Sequence, residues 1–259
     1  MAVVPSMTPI DAAFMDQAPR LRLIVQFGAG LEGVDLEAAA ARGIVVRNTP
    51  GLNAQCVAET ALFLMLALAK RLPLHRESFA QRLIGHPPSI ELKGKTLGIV
   101  GLGASGRALA RLARGIGMQV VAIRRHRAAD DPDASWVGGA EDLDRLLEQA
   151  DFVSLQVPLS PETQGLIDGA RLARMKPSAY LINVGRGALI DRAALLEALR
   201  ERRIAGVGLD VFWQEPPDPE DPLLALDNLV ATPHIGGVSV EALAQIADRV
   251  VALLKEGLL

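Results

Sequence analysis

Three short segments carry residue types from which proton chemistry on a small anion can be built. They are Asn183-Val184-Gly185-Arg186-Gly187, Asp210-Val211-Phe212-Trp213-Gln214-Glu215-Pro216 and Pro233-His234-Ile235-Gly236-Gly237. Each follows a short apolar run, and together they offer one arginine, one glutamate and one histidine. A guanidinium forks onto a carboxylate through two parallel N–H bonds. A glutamate beside a histidine raises the imidazole pKa, and the pair then gives or takes a proton near neutral pH. Singly, each has a plain reading as a surface arginine, a loop-capping glutamate or a helix-capping histidine. Their joint occurrence at the ends of apolar runs points to a reaction centre.

A glycine-rich turn stands upstream of this trio. Leu97–Val100 leads into Gly101-Leu102-Gly103-Ala104-Ser105-Gly106, and helix-forming residues Arg107–Arg114 follow. Between a buried strand and a helix, such glycines allow a tight turn and close backbone approach to a pyrophosphate, which the free N–H groups of the helix start then hold. In NAD-binding versions an acidic residue about 20 positions further on accepts the ribose hydroxyls. Here the next apolar run, Gln119–Ile123, is followed by Arg124-Arg125-His126-Arg127, and the first carboxylate is Asp130. Arginines at that place suit a ribose 2′-phosphate, so NADP(H) is the preferred cofactor on this reading, with NAD(H) possible. The plain alternative is a solvated basic loop.

The elements that must position these residues are legible as a rhythm. Apolar runs at 96–100, 119–123, 152–157, 179–184, 206–211 and 229–231 are mostly continuous, as in strands buried on both faces. Helical stretches with start signals separate them, such as Asp191 ahead of Ala193–Arg202. The rhythm implies an α/β fold with a doubly wound parallel sheet. The first 92 residues read as a second, smaller α/β region. It has strands near 21–26 and 44–47, and a long helix from an Asn53 cap to about Lys70 that is apolar nearly all round and therefore buried. Ser239 opens a final amphipathic helix reaching Glu256. We place the domains at 1–92 plus 235–259 and at 93–234.

Composition narrows the function classes. The chain has 259 residues, 50% of them hydrophobic and 22% charged, enough for a sizeable core. A formal charge of −3 gives no global field for nucleic acid or an anionic membrane. The longest apolar run, Ala61–Ala69, is far short of a span. Cys56 is the only cysteine and no two of the four histidines have a metal-ligand spacing, so neither a disulfide nor a metal site is expected. The first basic residue, Arg20, leaves no signal-peptide pattern, and a cytoplasmic location is expected.

Over residues 21–254 the chain resembles the D-isomer-specific 2-hydroxyacid dehydrogenases, the family of glyoxylate, hydroxypyruvate and phosphoglycerate enzymes. The resemblance is carried by Gly28-Ala29-Gly30, Val57-Ala58-Glu59, Leu92-Lys93-Gly94-Lys95-Thr96, the glycine turn, Val157-Pro158-Leu159-Ser160-Pro161-Glu162-Thr163 and the three segments above. It implies a Rossmann-type domain inserted into a flavodoxin-like substrate domain, and hydride transfer between NAD(P)H and a small 2-oxo acid. It further implies that Arg186 binds the substrate carboxylate and carbonyl, His234 is the acid/base and Glu215 tunes it. Gly28, Ala29 and Gly30 would offer backbone N–H groups to the carboxylate. Val157, Pro158, Thr163, Val184 and Gly185 would line the cofactor cleft and Asp210 would face the nicotinamide amide; with the glycine-turn residues Gly101, Gly103, Ala104, Ser105 and Gly106, and with Arg124, Arg125, Arg186, His234 and Gly236, they make up the expected cofactor site. Members of this family usually carry some fifty or more additional residues ahead of the equivalent of Leu21, so an abbreviated substrate domain or a fragment is expected. Gln156 stands where a histidine is frequent. The alternative reading is a cofactor-binding regulator, or an inactive truncated relative, on the same scaffold. The apolar helix Cys56–Ala69 is expected at a homodimer interface. Cys56, Trp136 and Trp213 are expected to pack, His75 and His86 to be solvated, and Arg107, Arg111 and Arg114 to form a solvated helix face.

Overall fold

The computed structural model describes residues 2–4 (as backbone), 9–125 and 131–256. Its strands are β1 Ala2–Val4, β2 Leu23–Gln26, β3 Val45–Asn48, β4 Thr96–Val100, β5 Gln119–Ile123, β6 Trp136–Gly138, β7 Phe152–Leu155, β8 Tyr180–Asn183, β9 Gly206–Leu209 and β10 Leu229–Ala231. The helices are α1 Ala12–Asp16, α2 Leu36–Ala41, α3 Ala54–Ala69, α4 His75–Ala80, α5 Ala104–Gly115, α6 Leu143–Gln149, α7 Gly169–Arg174, α8 Arg192–Arg200 and α9 Val240–Glu256. The chain divides into two compact units, Met1–Cys56 with Gly237–Leu259, and Val57–Gly236.

In the first unit β1, β2 and β3 form a parallel sheet in that order. Carboxylates start its short helices: Asp11 accepts the Phe14 N–H ahead of α1, and Asp35 accepts the Ala38 N–H ahead of α2, both at 2.8 Å. Ile24 packs with Ile10, Met15, Val34, Ala39 and Ile44. Leu23 and Val25 pack instead with Ile246, Val250 and Leu253 of α9. Those α9 positions are spaced four and three apart, one face of an amphipathic helix. The Ala242 N–H donates to the Ser239 hydroxyl at 3.0 Å, the hydroxyl cap that the sequence suggests.

The second unit is a seven-stranded, wholly parallel sheet in the order β10-β9-β8-β7-β4-β5-β6. Renumbered along the unit this is the doubly wound dinucleotide order with one further strand, and it reverses direction between β4 and β7. Helices cover both faces, as a buried parallel sheet requires. Ala108, Leu109 and Ala113 of α5 pack with Leu97 and Ile99 on one face, while Leu146, Leu172, Leu195 and Leu199 pack with Val153, Leu181 and Val207 on the other. The strand runs expected in this unit all appear, β4, β5 and β10 with the expected bounds and β7, β8 and β9 two residues shorter; β6 is an additional short edge strand.

The division between units differs from the expected boundary at residues 90–93. Residues 57–92 group with the sheet because Ala61, Leu64, Met65 and Leu68 of α3 join the same core as Leu97, Ile99 and Ile182. A Cβ on Gly208 would lie 2.9 Å from Leu64 Cβ, so the helix rests directly on β9. The second unit ends at Gly236.

Candidate active site

Because every strand of the second unit is parallel, the C-terminal ends of β4, β5, β7, β8, β9 and β10 share one edge. In open α/β sheets ligands bind there, at the point where the strand order reverses. The glycine turn leaves β4 at that point. Gly101 adopts φ +103°, and a Cβ on it would lie 2.7 Å from Val157 and 2.9 Å from the Gln156 backbone, which leaves β7 beside it. A Cβ on Gly106 would collide with the carbonyl oxygen of Gly101. A Cβ on Gly103 would meet nothing within 4 Å, and no side chain caps the α5 start at Ala104, Ser105 and Gly106. Open space in front of an uncapped helix N-terminus is what a pyrophosphate needs, so these residues fit a dinucleotide.

The rest of the expected cofactor lining lies along the same edge. The Thr163 hydroxyl donates to Pro158 O and accepts the Ser160 N–H, both at 2.8 Å, which closes the loop after β7. Val184 and Gly185 leave β8, and Gly185 would touch Val157 O at 2.9 Å through a Cβ. Arg124 N–H donates to Gly138 O at 3.1 Å at the end of β5, with Arg125 next to it. Arg127 lies outside the described residues.

The imidazole–carboxylate pair is assembled from the segments that follow β9 and β10. His234 Nδ1 lies 2.6 Å from Glu215 Oε2, and Glu215 Oε1 accepts the Phe212 N–H at 2.9 Å. The Glu215 hydrogen bond raises the His234 pKa above its ordinary value, against burial and the Arg186 charge, which both lower it. Burial pushes Glu215 up, but the His234 bond, the Phe212 N–H and the positive charges of His234 and Arg186 outweigh it and hold it below the carboxylate range. Arg186 therefore sits within electrostatic reach of both, and its Nη1 donates to Gly185 O at 2.7 Å.

Two buried side chains that the sequence reading did not single out as structural braces hold these segments. Asn183 is fully buried at the end of β8; its Oδ1 accepts the Gly185 N–H at 3.1 Å and its Nδ2 donates to Arg186 O at 2.8 Å. Asp210, 1% exposed, accepts the Thr232 hydroxyl at 2.6 Å, the Ile235 N–H at 2.9 Å and the Gly236 N–H at 2.8 Å. His234, at φ +53°, is locked inside that loop by its own N–H, which donates to Asp210 O at 2.9 Å. A left-handed backbone is costly for a residue with a Cβ and persists only where its surroundings enforce it. A Cβ on Gly187 would collide with the Phe212 carbonyl, which brings the Arg186 turn against the segment that carries Glu215.

The Gly28-Ala29-Gly30 turn belongs to the first unit. Gly28, at φ +80°, donates its N–H to Thr49 Oγ1 at 2.9 Å and accepts the Thr49 N–H at 3.0 Å. Asn48 Nδ2 donates to Ala29 O at 2.7 Å. One expectation is corrected here. Arg111 and Arg114 lie on an exposed helix face as expected, Arg111 beside Asp133 and Arg114 donating to Pro132 O, but Arg107 is only partly exposed and pairs with Asp131 and Asp133. Trp213 packs as expected, its Nε1 donating to Ile190 O at 2.7 Å. No described helix is long and apolar enough to cross a membrane, and no described group of three His, Cys, Asp or Glu residues could hold a metal ion.

A glycine-rich turn at the strand-order reversal, with an imidazole–carboxylate pair three and four strands away, places the protein among the Rossmann-type oxidoreductases. Comparison with known proteins narrows this. Residues 62–236 match the family described as D-isomer specific 2-hydroxyacid dehydrogenase, NAD binding domain. A glyoxylate reductase from Korarchaeum cryptofilum is 41% identical over 252 residues, 93% of this chain and 74% of that protein. A solved acyclic imino acid reductase, in complex with NADPH and D-Arg, superposes with a TM-score of 0.88 at 27% identity, over 99% of this chain and 81% of the other. The D-lactate dehydrogenase of Aquifex aeolicus, complexed with NAD and lactic acid, gives 0.87 at 29%, over 98% and 81%. The chain belongs to the D-isomer-specific 2-hydroxyacid dehydrogenases. It is an NAD(P)H-dependent reductase of small 2-oxo acids.

Proposed function

We propose that this protein reduces a compact 2-oxo acid of the glyoxylate or hydroxypyruvate type, with NADPH as the favoured cofactor. The observation that carries the site assignment is the His234–Glu215 contact at 2.6 Å through Nδ1, with no described residue bonded to Nε2. Glu215 holds the ring and keeps Nε2 protonated, so that it gives its proton to the oxygen of the 2-oxo group. Arg186 forks onto the substrate carboxylate and polarises that carbonyl. Within the first unit the Gly28–Gly30 turn is held by Thr49, which takes the Gly28 N–H, and by Asn48. Gly101, Gly103, Ala104, Ser105 and Gly106 hold the pyrophosphate; Val157, Pro158, Thr163, Val184 and Gly185 line the crevice; Asp210 faces the nicotinamide amide, and Gly236 lies beside it. When bound, the nicotinamide supplies the hydride, and the protein's part is orientation and electrostatics.

Arg124 and Arg125 at the end of β5 support NADP(H) over NAD(H). Arg124→Asp should flatten or reverse the ratio of kcat/KM for the two cofactors; an even ratio in the parent would overturn the preference. The reading also includes a cytoplasmic homodimer. Phe63 and Leu66 on the outer side of α3 are 47% and 38% exposed, and Phe79 and Ile84 nearby in sequence reach 83% and 95%. Exposed apolar groups of this size mark an interface. The direct test of function is loss of reduced-nicotinamide absorbance with glyoxylate, hydroxypyruvate and pyruvate. No turnover with any of them, alongside retained cofactor binding, would favour a cofactor-binding regulator instead.

A further inference from the structure

The end of β5 is not simply a basic site. Seven residues beyond Arg124 stands Asp131, whose side chain is only 3% exposed. Arg107, in the first turn of the helix opened by the glycine turn, forks onto it: Nη1 donates to Oδ1 at 2.9 Å and Nη2 to Oδ2 at 2.7 Å. Asp131 Oδ1 also accepts the Asp133 N–H at 3.0 Å. Asp133 in turn lies 3.2 Å from Arg107 Nη1 and 3.3 Å from Arg111 Nη1. The Arg107 hydrogen bond, with a smaller contribution from the Arg124 charge, holds the Asp131 carboxyl below its ordinary range against burial. A carboxylate with a side chain 3% exposed is thus forked by Arg107, in the first turn of the helix that follows the glycine turn, and feels more weakly the charge of Arg124, at the place proposed for the 2′-phosphate.

We infer that Asp131 and Arg107 are specificity-determining residues that set, by opposing charge, how strongly the site favours NADP(H) over NAD(H). This rests on the proposal that the end of β5 receives the ribose 2′-position. Asp131 offsets part of the field of Arg124 and repels a phosphate; Arg107 neutralises Asp131 and weakens that repulsion. A carboxylate that interacts with a single cation at the ribose would act as an NAD-selecting residue. Held by a second cation, it tempers the preference without reversing it. The same fork also ties the segment entering β6 to α5, and a purely structural role predicts a different pattern of variants.

The two roles separate by sign. Asp131→Asn keeps the shape, removes the negative charge and frees Arg107. The NADPH-to-NADH ratio of kcat/KM should rise about three- to tenfold, a plausible size for one partly screened charge at the ribose end. Arg107→Gln bares Asp131, and the ratio should fall by a similar factor. The double variant should return to within about twofold of the parent, and kcat at saturating NADPH should change little in all three. Arg107→Lys keeps the charge but not the fork, so its ratio should stay close to parental; it guards against misfolding of the glutamine variant. Shifts in the same direction for Asp131→Asn and Arg107→Gln, or no shift in either, would overturn the inference and leave a structural clamp. An even cofactor ratio in the parent would overturn the NADP(H) proposal, while shifts of opposite sign would still uphold the charge pair.

Discussion

Two alanine substitutions in one turn should have separable effects. A Cβ on Gly106 runs into backbone, the Gly101 carbonyl, and lies 3.2 Å from Ile99 Cγ2. Backbone cannot swing aside as a flexible side chain can, so the start of α5 must shift relative to β4. Such overpacking costs about 1–3 kcal/mol. For a cooperative unit of this size each kcal/mol lowers Tm by roughly 2–4 °C, so a fall of about 2–12 °C is expected for Gly106→Ala. Gly103 differs: its φ of −86° suits any residue, and an added methyl meets no protein atom within 4 Å. Its stability cost should stay near the 0.5–1 kcal/mol of roughly an ordinary helix-start change. That open space is the proposed place of the pyrophosphate, where a methyl holds the phosphate away from the helix N–H groups. Losing one charge-assisted hydrogen bond of about 1.5–3 kcal/mol weakens binding about ten- to hundredfold. Calorimetry gives Tm for both variants, and quenching of protein fluorescence by NADPH gives Kd. Parental affinity in Gly103→Ala would refute the placement of the cofactor; an unchanged Tm in Gly106→Ala would refute the packing argument.

Other expectations follow from the same geometry. His234→Gln and Arg186→Ala should each lose about 10² to 10⁴ in turnover while NADPH still binds, as measured by stopped-flow reduction and by fluorescence titration. Glu215→Gln should stay active but lose reduction first at neutral and alkaline pH. Glu215 raises the His234 pKa, so without it the imidazole deprotonates at lower pH and the descending limb of the pH–rate profile moves down; an unmoved limb would remove Glu215 from the proton step. Ile84→Asp, at a position 95% exposed, should shift sedimentation from dimer to monomer without lowering the Tm of the second unit, whereas a parent that sediments as a monomer would refute the interface.

What could be read in the sequence was whatever depends on neighbours along the chain. The runs at 96–100 and 119–123 were legible to the residue because strands buried on both faces are unbroken in hydrophobicity. β6 escaped notice because three residues, Trp136-Val137-Gly138, are too few to show a period. The apolar stretch in α3 announced burial but not against what; that it lies on β9 depends on Gly208 leaving room for Leu64. Likewise Arg107 and Arg111 show helical spacing, yet their partners lie 20-odd residues away, and only folding brings them together. The residues proposed for the chemistry were legible as types. The braces Asn183, Asp210 and Thr232 were not, since a polar residue at a strand end looks the same whether it faces solvent or anchors a loop.

The Asp210 anchor bears on how this scaffold can be altered. Loosening the His234 loop would strip three hydrogen bonds from a carboxylate that water does not reach, so the loop is expected to open only when the sheet itself opens. Amide protons of Ile235 and Gly236 should then be among the slowest to exchange, unusual for loop residues. A scaffold of this kind does not widen its choice of substrate by flexing around the imidazole. New selectivity must be introduced in segments that owe nothing to Asn183 or Asp210, and a directed-evolution library is best spread over those segments, with the strand-end anchors held constant.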